Sequence, residues 1–283
     1  MTDNSIRGAC QGGAPTRRAA LTTGALAGAV LFFAGHANRA EAVSRAPRVA
    51  ADAIQDILDT ALTAERLAIT FYYTALTTPA VIRDSRLAGP SGDPNNPGQP
   101  PGGAPANVKD LQAALDAEVK HADALSAAGA TSRYTHFYFP AATFDTLGAS
   151  SRPNTVLGRL DILETATVGA YAAAARQLML LRRPDLAPIV AEIMGVEAEH
   201  RVLGRLISGA DPVRGLATEL TPIGTVADAA RALRPFLTGQ AGEGFMGPPT
   251  RPIPLPSSQQ TARVIGKYQT RVVRGFLQGG AHG

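Results

Sequence analysis

Two glutamates in this chain are each followed at the third position by a histidine, in Glu118-Val119-Lys120-His121 and Glu197-Ala198-Glu199-His200. Residues three apart on a helix share a face, so each pair can offer a carboxylate and an imidazole to one metal ion. With nine Glu and five His in 283 residues, chance alone gives about 0.16 such pairs. Two further glutamates share the same setting, a stripe that is otherwise apolar. Glu65 lies between Leu62 and Ile69, Glu118 between Leu115 and Leu125, Glu164 between Leu160 and Val168, and Glu197 between Ile193 and Leu203. Isolated carboxylates on buried faces are costly, and their mutual repulsion adds to the cost. Two divalent cations cancel four carboxylate charges, while two neutral imidazoles add nitrogen donors. The predicted chemistry is therefore a two-metal centre held by Glu65, Glu118, His121, Glu164, Glu197 and His200.

Such a centre needs four helices around one axis, one Glu from each of two and Glu-x-x-His from each of the others, as in di-iron and di-manganese carboxylate bundles. Periodicity supplies them. The first runs from about Val49 to Thr77, with Ile54, Ile57, Leu58, Ala61, Leu62, Ile69, Tyr72 and Leu76 on one stripe, and ends at Pro79. A connector from Pro79 to Ala106 holds seven Pro and five Gly and is expected to lack regular structure. Asn107 is the expected N-cap of the second helix, which reaches Gly129. An aromatic-rich irregular stretch from Ala130 to Asn154 is long enough to cross the bundle's length. The third helix then runs to about Arg183 and the fourth from Asp185 to Ser208, closed by Gly209. Beyond it, Thr225 to Leu237 reads as a short helix, Gly239 to Pro256 as a Gly/Pro-rich loop, and Ser258 to Phe276 as a basic amphipathic helix docked with its charged face in solvent. The expected fold is all-α: a four-helix bundle over residues 47–208 with a long crossover between its second and third helices, and a C-terminal extension over 209–283 with short helices.

A weak repeat supports that order. Tyr72 follows Glu65, and Tyr171 follows Glu164, each at the seventh position, which makes the bundle two related hairpins. Both tyrosines fall on the metal-facing stripe and are read as core residues with satisfied hydroxyls; a redox or proton-relay role is the alternative. His136 and Glu199 stand off the pattern.

Composition agrees with helices and limits the chemistry. The chain holds 52 Ala, no Trp and a single Cys, which excludes disulfide frameworks and thiolate-rich metal sites. The net charge of +4, with no concentrated basic face, argues against a nucleic-acid partner. Arg17-Arg18 precede an uncharged run from Ala19 to Gly35 and then Ala40-Glu41-Ala42, the order of a cleavable twin-arginine export signal over residues 1–42. Cleavage leaves no stable membrane span, removes Cys10, and places the protein in the periplasm, the cell envelope or the outside medium.

These residues together resemble the ferritin-like superfamily, and the order of ligands behind the signal is similar to exported bacterial ferritin-like domain proteins related to plant desiccation-related proteins. The resemblance implies that Glu118 and Glu197 bridge two metals, that Glu65 and Glu164 are terminal, and that each His binds one metal. It further implies a site of two iron ions, acting on Fe(II), O2 or peroxide in oxidative stress. A di-manganese catalase-like enzyme and a non-catalytic stress or desiccation-related scaffold are the alternatives, and homo-oligomerisation stays open. The long connector and the residues after Ser208 depart from a compact cage subunit.

Overall fold

The computed structural model describes residues 54–88, 107–212, 223–242, 245 and 247–266. The chain divides into two units, residues 1–47 and 48–283, and every described residue lies in the second. The expected export signal falls outside the described residues.

Four long helices form the bundle: α1 (Ile54–Thr77), α2 (Asn107–Ala127), α3 (Val156–Leu180) and α4 (Ala187–Ser208). A shorter α5 (Val226–Thr238) follows them, and the two-residue strands β1 (His136–Phe137) and β2 (Ile253–Pro254) lie between α2 and α3 and after α5. Helix α1 buries the stripe its sequence marks out, including Ile57, Leu58, Leu62, Glu65, Ile69, Tyr72 and Leu76, whereas on α4 Ile193 is buried and Leu203 only half-buried. Helix ends follow local chemistry. Thr155 caps α3 by accepting from the Gly158 N–H at 3.3 Å, Pro188 sits in the first turn of α4, and Gly209 ends α4 in the left-handed region at φ 71°.

Helices α1 and α2 pack as one hairpin and α3 and α4 as another. In the first, Gln55 near the start of α1 donates to the Gly129 carbonyl just past α2, so the pair is antiparallel. In the second, Arg205 Nε donates to Asp161 Oδ1 at 2.7 Å across the helices. Two apolar clusters occupy the two ends. Leu111, Leu157 and Ile207 belong to one; Leu125, Leu178 and Val190 belong to the other. Helices α2 and α3 thus run the same way, and residues 128–155 must return along the bundle between them. That crossover lays Phe139 and Phe144 over Phe71 of α1 and buries Phe137 in the same cluster, with Phe236 and Phe245 packed behind. Each buried aromatic removes a large apolar area from water.

Three expectations need correction. The connector is not irregular from its start: Pro79–Ile82 and Ser85–Ala88 are short helical turns because Val81 and Leu87 are completely buried in the core and anchor them. Asn107 is the first helical residue, and its side-chain amide donates to the Arg86 carbonyl at 2.9 Å, tying α2 to that turn. The stretches taken as loops at 130–154 and 239–256 meet in a small antiparallel sheet, His136 opposite Pro254 and Phe137 opposite Ile253. The basic helix is described over 258–266, where Thr261 and Ile265 are buried and Gln112 of α2 donates to the Val264 carbonyl; its remainder lies outside the described residues. Helix α5 rests on α1 and α3. Among the described residues no helix is long and apolar enough to cross a membrane.

Candidate metal centre

All six predicted residues converge at the middle of the bundle. Glu65 comes from α1, Glu118 and His121 from α2, Glu164 from α3, and Glu197 and His200 from α4. Every one is buried, with Glu118 at 0% and His121, the most open, at 8% exposure. Their ligand atoms fall into two overlapping quartets, Glu65/Glu118/His121/Glu197 and Glu118/Glu164/Glu197/His200, each with its atoms within 4.8 Å of one another. Glu118 and Glu197 belong to both.

The histidines aim Nδ1 at the carboxylates. His121 Nδ1 lies 3.0 Å from Glu197 Oε1, 3.3 Å from Glu65 Oε2 and 3.6 Å from Glu118 Oε2. His200 Nδ1 lies 3.0 Å from Glu118 Oε1 and 3.4 Å from Glu197 Oε2. These are ion-pair distances without hydrogen-bond angles: both Nδ1 atoms, both Glu118 oxygens, Glu65 Oε2 and Glu197 Oε1 are buried without a hydrogen-bond partner. One ring nitrogen carries at most one hydrogen and cannot serve three oxygens. A cation among them would satisfy nitrogen and oxygens together, and the oxygen-plus-imidazole donor set suits iron or manganese. An unsatisfied buried polar group costs about 1–3 kcal/mol, so six in one place mark a site shaped for something other than its own side chains.

Glu65 and Glu164 are each held from the opposite hairpin. Tyr72 of α1 donates its hydroxyl to Glu164 Oε1 at 2.8 Å, and Tyr171 of α3 donates to Glu65 Oε1. Satisfied hydroxyls were expected; that their acceptors are the site's own carboxylates was not legible, because each partner sits on the other hairpin. Burial, and then the charges of the nearby glutamates, push both phenols well above their usual pKa, so they remain donors. Burial raises Glu118, with Glu65 adding to it and the two histidines opposing. Burial and the charges of Glu197 and Glu118 raise Glu164 well above the carboxylate range. For the imidazoles, burial acts downward, but the surrounding carboxylates outweigh it and raise His121 to about 12 and His200 to about 10.

The two off-pattern residues lie elsewhere. Glu199 is exposed on the outer face of α4, and His136 is exposed on β1 with its ring against Tyr138. A model of the ferritin-like domain family matches residues 54–210. No curated protein and no solved structure matches the chain.

Proposed function

Because the chain belongs to the ferritin-like domain family, we propose that its buried cluster holds two iron ions and acts on Fe(II), O2 or peroxide. The observation that carries this reading is the pair of quartets sharing Glu118 and Glu197, each with an imidazole nitrogen directed inward. Glu118 and Glu197 would lie between the ions. Glu65 and His121 would complete one position, and Glu164 and His200 the other. Paired metals of this kind supply redox equivalents and open positions for O2 or peroxide. The chain's own residues do the rest: carboxylates balance the charge, Tyr72 and Tyr171 hold one oxygen of each terminal glutamate, and the apolar ends of the bundle exclude water.

Export belongs to the same proposal. Arg17-Arg18 and the uncharged run after them suit twin-arginine translocation, which moves folded proteins and would let the site fill in the cytoplasm. The experiment is metal analysis of protein recovered from the exported fraction, beside assays of Fe(II) oxidation and peroxide consumption. Two iron ions per chain with turnover of either substrate is the expected result. Two ions without turnover would reduce the protein to a metal-stabilised scaffold.

A further inference from the structure

Taking the two-metal reading as given, we propose that the two positions are unequal: the one bounded by Glu164 and His200 binds its ion first and more tightly, because Tyr72 fixes two of its ligands at once.

The hairpins look equivalent in sequence, each with a tyrosine seven residues after its glutamate, but their surroundings differ. The Tyr72 hydroxyl holds Glu164 Oε1 at 2.8 Å, and the same ring packs edge-on against His200, centroids 5.9 Å apart at 70°. Phe71 braces Tyr72 at 5.8 Å and 80° and itself lies 5.6 Å from Phe144 and 5.8 Å from Phe139 of the crossover. Such a ring has little freedom to turn, so the carboxylate and imidazole it touches are already in place before an ion arrives.

Tyr171 does less for the other position. Its hydroxyl reaches Glu65 Oε1, yet among the described residues no aromatic ring packs on it. It belongs to a buried cluster whose other members are aliphatic, including Ile57, Leu62, Leu178 and Ile193. Among the described residues the imidazole of His121 has only His200 as a ring neighbour, at 6.3 Å, and Glu65 Oε2 is left without a hydrogen-bond partner. Ligands oriented by outer partners bind a metal about 10–100-fold better than unsupported ones. One position has both terminal ligands supported, the other only one.

The test is stepwise titration of metal-free protein with Co(II), followed by visible absorption and calorimetry. Wild type should show two phases separated by about tenfold or more in affinity. Tyr72→Phe keeps the ring and removes the hydroxyl; it should weaken the tighter phase about tenfold and change that phase's spectrum while sparing the other. Tyr171→Phe should weaken only the looser phase. His200→Ala should abolish the tighter phase and His121→Ala the looser one, a comparison that decides the matter even if Tyr72→Phe does not fold. Two equal phases, a Tyr72→Phe titration like wild type, or loss of the tighter phase in His121→Ala would overturn the inequality. Binding of no Co(II) at all would instead refute the metal reading beneath it.

Discussion

Replacing Glu118 with Gln should remove the stabilisation that metal confers on the whole bundle, whereas replacing Glu65 with Gln should remove about half. The asymmetry comes from the two quartets, since Glu118 lies in both and Glu65 in one. At Fe(II) about 100 times the looser position's Kd, that position stabilises the folded state by about 2.7 kcal/mol and one about tenfold tighter by about 4.1 kcal/mol, so the two contribute about 7 kcal/mol. For a domain of this size each kcal/mol moves Tm by about 2–4 °C, which puts the wild-type shift at about 14–28 °C. Glu65→Gln should retain about 8–16 °C of it and Glu118→Gln almost none. Gln preserves the side-chain volume but removes a charge, so each shift is read against that protein's own metal-free Tm. The assay is thermal unfolding by circular dichroism, with and without anaerobic Fe(II), for the three proteins side by side. A Glu118→Gln protein that keeps half or more of the wild-type shift would refute the shared-ligand geometry.

Metal affinity should rise with pH. In the metal-free protein the carboxylates hold His121 at about 12 and His200 at about 10. Both imidazoles are therefore protonated at neutral pH and must lose their protons to bind metal; calorimetry in buffers of different ionisation heat should register that release, and a pH-independent affinity would contradict it. Gly158→Ala should destabilise by about 1–3 kcal/mol, because a Cβ there would stand 1.8 Å from the Arg152 carbonyl oxygen; chemical denaturation measures the loss. Thr225→Ala breaks the capping box with Asp228 at the start of α5 and should cost about 1 kcal/mol in the same assay.

The long helices were legible because their stripes are periodic and their ends carry local signals, as at Gly209. The six residues of the buried cluster were legible for a related reason: a Glu such as Glu164, between Leu160 and Val168, contradicts the stripe it interrupts. The misreadings arose where order depends on distant partners. Pro and Gly at 79–106 argued against structure, but Val81 and Leu87 reach the core and turn the first part of that segment into helix. The pairing of His136 with Pro254 joins residues more than a hundred positions apart, and strands of two residues carry no periodicity. Tyr72 and Tyr171 stood at a visible spacing from Glu65 and Glu164, but the exchange of their hydroxyls between hairpins is a property of the packed bundle alone. Arg159, completely buried on α3, had no sequence signal, since a lone Arg on a helix ordinarily faces water.

The central claim is that one pair of carboxylates serves two metals. Anomalous diffraction from crystals of the iron-loaded protein tests it most directly. The account predicts two peaks per chain, both beside Glu118 and Glu197, one also bounded by Glu65 and His121 and the other by Glu164 and His200. A single peak, or peaks away from these six residues, would contradict it.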